Sequence, residues 1–316
     1  MSNKTIANFW VFVILSASVA AIFSGCSMTP SASSRSSKAT HFEAPKTTGR
    51  IADAEIKESS GIAASKCQPN VFWTHNDSGD KAFLFALDKS GAKLGTWTVP
   101  NAANFDWEDI AMFKDSTGKC FIYIGEIGDN ESVRDEHVIY RVLEPKAGTE
   151  NASATKLQPL TTEPADALRF IYPDSRHNAE TLLVHPKSGD IYVVTKRVSG
   201  PAGVYRLRSN FGNGAAVKAE KVSDLSVPAI PNGFLTGGDI SPNGRRLVIC
   251  DYSAAYEFTL PENAISFDEI WSQEPESVDV GSRKVGEAVT YTTDGSSIVL
   301  TSEGRNSNII EVSRKY

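Results

Sequence analysis

Trp107-Glu-Asp-Ile-Ala-Met112, followed by Phe121-Ile-Tyr-Ile-Gly-Glu126 and Val138-Ile-Tyr-Arg-Val142, is the stretch of sequence that decides the fold. Each run is short and rich in β-branched and aromatic residues, which is typical of strands joined by turns. The first run begins with acidic residues, and the second ends with polar ones. A chain that repeats such a unit is predicted to build a set of equivalent sheets.

The unit recurs four more times along the chain. The other copies begin with Glu58-Ser-Ser-Gly-Ile-Ala63, Ala179-Glu-Thr-Leu-Leu-Val184, Gly238-Asp-Ile-Ser241 and Gly286-Glu-Ala-Val-Thr-Tyr291. A fourth apolar run follows most copies, at residues 94–99, 167–172, 217–222 and 269–271. We therefore predict an all-β propeller of five four-stranded blades over residues 47–316. The long gap at residues 143–166 leaves six blades as the alternative.

The last copy ends without a fourth strand. Residues 50–56, ahead of the first copy, can supply that strand beside residues 308–312. Such a pairing would join both ends of the domain in one blade and remove the open edge of the ring.

The N-terminal residues indicate export. Lys4 precedes an apolar run from Phe9 to Leu15, and small residues lead to Ser24-Gly25-Cys26. This order predicts a secretory signal over residues 1–26 with a lipobox, in which Cys26 is lipidated; an uncleaved signal anchor is the alternative. Residues 27–46 are rich in Ser, Thr and Ala and predict a flexible tether. We expect a protein anchored by lipid to a bacterial membrane, the outer one where there are two.

Composition narrows the function further. The net charge is −6, and no basic stripe runs along the chain, which argues against a nucleic-acid partner. The sequence has no Gly-x-Ser-x-Gly elbow, no His-Glu-x-x-His motif and no phosphate-binding loop. Any chemistry must therefore come from side chains that the fold brings together. We expect a monomer.

One mouth of the channel should collect the polar ends of the repeats, because antiparallel pairing places the start of strand one beside the end of strand two. Carboxylates crowded there would repel each other unless a cation neutralised them, and oxygen ligands favour Ca²⁺. Glu108, Glu180 and Glu287 share one register. The expected ligands of a divalent cation are these three and, less well aligned, Glu58 and Asp239. In the alternative, the acids cap turns or pair with Lys196 and Arg197.

The ends of the second strands supply the other candidate site residues. We expect His75, Asp77 and Glu126 to be catalytic groups that transfer protons. The candidate substrate-binding residues are Lys196, Arg197, Tyr252 and Glu303. The run His75-Asn-Asp-Ser-Gly-Asp80 is equally typical of a turn.

Cysteines and aromatic residues give further expectations. Cys67 and Cys120 occupy the same place in adjacent copies and are expected to form a disulfide, with two free thiols as the alternative. Cys250 is expected to be a buried thiol. Trp73, Tyr123 and Tyr192 are expected to pack between blades. The histidines at positions 41, 137, 177 and 185 are expected at the surface.

Four motifs carry a resemblance to a known family: Glu58-Ser-Ser-Gly-Ile-Ala63, His75-Asn-Asp-Ser-Gly79, Asp106-Trp-Glu-Asp-Ile-Ala111 and Gly125-Glu-Ile-Gly-Asp-Asn130. With them, residues 55–312 resemble a family of exported bacterial β-propeller lipoproteins. More distantly, the chain is similar to phytase-like esterase, gluconolactonase-like and calcium-dependent apyrase propellers. In those groups a cation lies among acidic residues at the channel, although their catalytic motifs do not match here residue by residue.

The resemblance implies a divalent-cation-dependent hydrolase of phosphate esters, other esters or lactones. The alternative is a non-catalytic propeller that binds a protein or glycan partner at the cell envelope.

Overall fold

The structure, a computed structural model, describes residues 41–212 and 214–315. The predicted signal peptide, Cys26 and most of the predicted tether lie outside these residues. Within them the strands form five separate sheets. The innermost strand of each sheet contacts the innermost strands of the sheets on either side, so that five inner strands surround one channel. This arrangement confirms the predicted five-bladed propeller.

Each sheet is one blade, with antiparallel strands from the channel to the rim and a short parallel strand added in blades 1 and 2. From the channel outward, blade 1 contains β2 (Ser59–Ala64), β3 (Val71–Asn76), β4 (Phe83–Asp88), β5 (Lys93–Thr98) and β9 (Leu160–Thr161); blade 2 contains β6 (Trp107–Lys114), β7 (Cys120–Glu126), β8 (His137–Leu143), β10 (Asp166–Ile171) and β14 (Val217–Lys218); blade 3 contains β11 (Ala179–Val184), β12 (Ile191–Thr195), β13 (Ala202–Leu207) and β15 (Glu220–Leu225); blade 4 contains β16 (Gly237–Ile240), β17 (Arg246–Cys250), β18 (Ala255–Thr259) and β19 (Glu276–Val278); and blade 5 contains β20 (Gly286–Tyr291), β21 (Ser297–Ser302), β22 (Asn308–Ser313) and β1 (Lys46–Arg50).

Five apolar clusters hold the blades together, one in each junction between neighbours. Side chains alternate between the two faces of a strand, so a middle strand contributes to two junctions. Tyr123 packs between blades 2 and 3, whereas Ile122 and Ile124 pack between blades 1 and 2. Burial of both faces explains the continuous apolar runs in the sequence. Trp73 and Tyr192 also pack between blades, as predicted.

Strand β1 closes the ring by pairing antiparallel with β22 in blade 5. The prediction that residues 50–56 form this strand was wrong by a few residues. Those residues instead cross from the rim of blade 5 to the channel strand of blade 1, and Ile51 and Ile56 are buried in the junction between these blades. The packed chain also begins before residue 47, because Phe42 is buried and forms a β-bridge with Arg314.

The outer strands differ most from the sequence prediction. In blade 3 the fourth strand is β15, because Val217 and Lys218 pair with β10 of blade 2 instead. In blade 4 the predicted strand at residues 269–271 lies in the 3₁₀-helix Phe267–Ser272. A capping box between Ser266 and Glu269 starts that helix, and β19 follows it as the fourth strand.

Residues 143–166 form a long connection and not a sixth blade. They contain the 3₁₀-helix Thr149–Asn151 and strand β9, which pairs in parallel with β5 of blade 1. No helix in the described part of the chain is long and apolar enough to cross a membrane.

Cys67 and Cys120 form a disulfide between blades 1 and 2, with their Cα atoms 6.1 Å apart. This is the pairing that the sequence analysis expected. Cys67 lies in the turn between the first two strands of blade 1, and Cys120 begins the second strand of blade 2. The bond is therefore at the end of the channel opposite the polar mouth. Cys250 is a free, buried thiol.

Two of the histidines expected at the surface are buried. His137 is 0% exposed and packs against the rings of Phe170 and Tyr172. His177 is also buried, and its Nε2 atom lies 2.8 Å from the hydroxyl of Tyr205. Their apolar surroundings come from the junction between blades 2 and 3, which single-strand periodicity does not reveal.

Candidate functional site

Glu108, Glu180 and Glu287 each lie at an irregularity near the start of a channel strand. In all three strands the pairing register with the second strand of the blade shifts at the glutamate. A residue in such a bulge has no direct partner across the ladder, so its side chain is re-aimed. All three side chains are buried. The register that they share in sequence is therefore a shared backbone feature.

Asp77, Asp106 and Glu108 form a carboxylate cluster at the mouth of the channel. One oxygen from each carboxylate lies within 4.8 Å of the others. Asp77 follows β3 of blade 1, Asp106 precedes β6 of blade 2, and Glu108 lies in β6. Gly128, after β7, leaves room for the last two, since a Cβ atom there would overlap carboxylate oxygens of both Glu108 and Asp106.

The carboxylate of Glu108 is the least compensated group of this cluster. Its side chain is 4% exposed, and no residue in the described ranges donates a hydrogen bond to it. Burial raises its pKa well above the ordinary value, and the charges of Glu180, Asp77 and other carboxylates raise it further. A buried charge without a partner is costly, so this group must either hold a proton or face a cation.

The donor set fits a hard cation. The cluster offers carboxylate oxygens and neither sulfur nor imidazole, which favours Ca²⁺ or Mg²⁺ over zinc. Burial raises the pKa of Asp106 to about 6, and the charges of Asp77 and Glu126 add to this effect. A bound cation would stabilise the ionised forms of all three acids.

Lys196 compensates a different carboxylate. Its Nζ atom donates to Oε1 of Glu180 over 2.7 Å and to the hydroxyl of Tyr252 over 3.1 Å. The ammonium also faces the rings of Phe234 and Tyr252, 4.6 and 4.9 Å from their centroids. Burial raises the pKa of Glu180 to about 7, although the charge of Lys196 opposes this. Among the residues described, Lys196 is the one Lys or Arg bonded to any of the mouth carboxylates: Asp77, Asp106, Glu108, Glu180, Glu287 and Glu303.

Glu287 and Glu303 form a pair of acids on the other side of the mouth. Burial raises the pKa of Glu287 to about 9, and the charge of Glu303 adds to this, so Glu287 holds a proton at neutral pH. The two carboxyl groups are hydrogen-bonded to each other. The hydroxyl of Ser60 lies 3.5 Å from Oε2 of Glu287. A carboxylic acid kept neutral in this way can act as a proton donor.

His75, a candidate catalytic residue, is buried away from the open mouth. It is 0% exposed, and its ring packs edge-on against Trp107. Its Nδ1 atom lies 3.0 Å from the carbonyl oxygen of Asn76. Burial lowers its pKa to about 4, so the imidazole is neutral. These contacts are those of a core histidine.

Glu126, the second candidate, supports the loop that carries Asp106. It is 1% exposed and accepts hydrogen bonds from the main-chain N–H groups of Phe105 and Asp106. The guanidinium of Arg134 donates to it over 2.9 Å. Glu126 is therefore placed to position a cluster member, whereas Asp77, the third candidate, belongs to the cluster itself.

Asp239 and Glu58 lie outside the cluster. Asp239 pairs in regular register in blade 4, which has no bulge at this strand. Its carboxylate accepts hydrogen bonds from the main-chain N–H groups of Ile240 and Tyr291 and from the hydroxyl of Thr290, and so joins blades 4 and 5. Glu58 is exposed at the rim. The structure does not bring either residue to Glu108.

A groove of about 480 Å³ opens beside the cluster. Asn178 lines it and donates to Glu180 over 3.4 Å, so the groove meets the acidic mouth at this point. Glu303, the fourth candidate for substrate binding, lines a second groove near blade 5. The other three candidates line the first groove together with one further basic and one aromatic residue: Lys196, Arg197, Tyr252, Arg176 and Phe234.

Asp106 is the cluster member that sequence reasoning missed as a site residue. It lies in the loop before β6, outside the repeated strands. The run Asp106-Trp-Glu-Asp109 contains three acidic residues in four positions. That density, next to the shared glutamate register, was the available signal.

The chain was compared with known proteins. No protein-family model matches it, and no curated protein matches it. Among solved structures it is similar to a gluconolactonase from Xanthomonas campestris, with 13% sequence identity, 86% of this chain and 95% of that chain covered, and a TM-score of 0.43.

Proposed function

We propose that this propeller is a hydrolase that uses a divalent cation, Ca²⁺ first, to cleave phosphate esters, other esters or lactones. The observation that supports this is the buried carboxylate of Glu108, which has no hydrogen-bond partner in the described ranges and faces the carboxylates of Asp77 and Asp106. These three side chains would hold the cation. Glu58, Glu180, Glu287 and Asp239 are not needed as direct ligands in this arrangement.

The chain divides the chemistry among neighbouring side chains. The cation, when bound, would polarise a substrate oxygen and lower the pKa of water. Glu180 has a pKa raised to about 7 by burial, which suits a group that accepts a proton from water near neutral pH. Glu287, protonated at neutral pH, suits a group that donates one. Lys196, bonded to Glu180, adds positive charge for an oxygen that becomes anionic.

The experiment compares protein stripped with EDTA and protein resupplied with Ca²⁺, Mg²⁺ or Mn²⁺. 4-Nitrophenyl phosphate, 4-nitrophenyl acetate and a δ-lactone are the probes. We expect turnover of one class, lost on chelation and restored by a cation, with a loss of about 100-fold or more in Glu108→Gln. Glu131→Gln removes an exposed acid outside the cluster and should keep full activity.

Two results would contradict the proposal. A chain that binds no divalent cation by calorimetry has no such site. A chain that binds the cation but hydrolyses none of the probes favours the non-catalytic alternative, a propeller that binds an envelope partner.

We further propose that the domain works outside the cytoplasm, attached to a membrane by lipid at Cys26. The signal-like run at residues 1–26 supports this. So does the Cys67–Cys120 disulfide, because disulfides persist in oxidising compartments. Mass spectrometry of the membrane fraction should find a lipid-modified Cys26 at the new N-terminus, and Cys26→Ser should release the protein. An unmodified Cys26 in membrane-bound protein would contradict lipidation.

A further inference from the structure

We propose that the substrate carries an anionic group, a carboxylate or a phosphate, which binds in the groove beside the carboxylate cluster, apart from the bond that is cleaved. The identity of the reacting end rests on the proposed function. The anionic end rests on the lining of the groove alone.

The groove and the cluster have opposite charge. Three residues that line the groove are basic, Arg176, Lys196 and Arg197, and none is acidic. The cluster next to it consists of carboxylates. A ligand that spans both would therefore present an electron-rich reacting group to the cation and a negative group to the basic wall.

Arg197 is free to bind a ligand. Its main-chain N–H donates to the carbonyl oxygen of Gly233 over 2.7 Å, which fixes the backbone at this point. Its exposed side chain has no ion-pair or hydrogen-bond partner among residues 41–212 and 214–315. A guanidinium on a fixed backbone, with no partner of its own, is well suited to bind a carboxylate or phosphate through two parallel hydrogen bonds.

Arg176 can join Arg197 at low cost. Its Nη2 atom lies 2.6 Å from Oδ1 of Asp135, but the side chain of Asp135 is 82% exposed. An ion pair in solvent contributes about 0–1 kcal/mol, so a bound anion can replace Asp135. Lys196, in contrast, is held by Glu180 at the inner end of the groove.

The rest of the lining indicates the spacer between the two ends of the ligand. Phe234 and Tyr252 stand edge to face, with ring centroids 5.0 Å apart, and form an apolar wall. Asn130, Ser132 and Ser175 add neutral polar groups for oxygen atoms. The groove thus fits an ester or lactone of an organic acid, or a phosphorylated ester, with a flat or apolar segment between the reacting group and the anion.

The test measures binding directly and does not depend on turnover. Benzoate, phenyl phosphate and neutral benzamide are titrated into the protein by calorimetry at low ionic strength, with and without Ca²⁺. We expect both anions to bind at least about tenfold more tightly than benzamide. Arg197→Gln should reduce that preference about five- to tenfold, and Arg197→Lys should restore most of it because the charge returns.

Arg305→Gln is the matched control. Arg305 is an exposed arginine at the same mouth, but it lines the second groove. Its replacement should leave the preference for anions unchanged. Equal binding of benzoate and benzamide would overturn the proposal, and so would an equal loss in Arg305→Gln and Arg197→Gln. The tighter of the two anions identifies the anionic group as carboxylate or phosphate.

The two proposals fail separately. Hydrolysis with no preference for anionic over neutral esters would overturn the anion site and leave the proposed function in place. Selective anion binding that depends on Arg197, in a protein that hydrolyses no ester, would support the anion site and remove the proposed function.

Discussion

The ammonium of Lys196 lies 2.6 Å from Oε2 of Glu180, and the two side chains are only 11% and 5% exposed. This ion pair makes the glutamates of the channel mouth unequal. Glu180 has a cationic partner, whereas Glu108 has none in the described part of the chain. Affinity for a cation should therefore depend mainly on the cluster around Glu108, and stability without the cation mainly on the pair.

Asp106→Asn and Glu108→Gln should each weaken Ca²⁺ binding at least about tenfold, because each removes a charged oxygen ligand. The melting temperature of the cation-free protein should stay the same or rise, since repulsion between carboxylates is relieved. Calorimetric titration and thermal melts in EDTA measure both effects. Glu131→Gln should titrate like the parent, and unchanged binding in both cluster variants would rule the cluster out as the cation site.

Glu180→Gln should have the opposite effect on the cation-free protein. Lys196 would remain buried without an anionic partner, which should lower the free energy of unfolding by about 2–3 kcal/mol. Urea denaturation in EDTA measures this loss. The double variant Glu180→Gln/Lys196→Met should recover much of the stability, because the unpaired charge is gone. A Glu180→Gln protein that unfolds at the same urea concentration as the parent would show that the pair is not stabilising.

His137 should make the stability depend on pH. Burial lowers its pKa to about 4, and the charge of Arg134 lowers it further, whereas Asp129 opposes this. In the unfolded chain a histidine has a pKa near 6.5, so between these values the unfolded state binds the proton more readily. The contribution is complete above about pH 6.5 and is lost as pH falls towards 4, by at most about 3 kcal/mol.

Urea denaturation from pH 7 to pH 4.5 tests this pH dependence. His137→Phe should flatten the slope, because phenylalanine can pack against Phe170 and Tyr172 without binding a proton. His41→Gln, a change at an exposed histidine, should keep the slope of the parent. An unchanged slope in His137→Phe would assign the pH dependence to other groups.

The Cys67–Cys120 bond should contribute measurably to stability. It closes a loop over a sequence separation of 53 residues. In the chain-entropy model such a loop corresponds to about 4 kcal/mol, so the double serine variant should unfold at clearly lower urea concentration. Non-reducing peptide mapping should recover the linked pair, with Cys250 alkylated only after denaturation. Free alkylation of Cys67 and Cys120 in the native protein would contradict the bond.

The five blades could be predicted from sequence because every junction needs the same apolar pattern. The common position of Glu108, Glu180 and Glu287 was visible for the same reason, since the bulge recurs with the repeat. Asp239 was assigned to this set although its blade lacks the bulge. A register shift in one strand leaves no mark in the periodicity of that strand.

The remaining errors concern segments outside the repeat. Asp106 lies in a loop whose course is set by the bonds of Glu126 to Phe105 and Asp106, and these contacts come from distant residues. The outer strands were displaced in the prediction because they are half-exposed and their apolar pattern is weak, as in β15. Long-range contacts fixed what local pattern could not.

Strand exchange makes the ring mechanically uneven. The chain after β8 of blade 2 returns to add β9 to blade 1, and the chain after β13 of blade 3 adds β14 to blade 2. Blade 5 receives β1 from the other end of the domain, whereas blade 4 is a single uninterrupted segment of four strands. Blade 4 neither lends nor borrows a strand, so it can detach without breaking a neighbour's sheet. We therefore expect partial opening to begin at blade 4, with the amides of β18 exchanging with deuterium before those of β4 and β8.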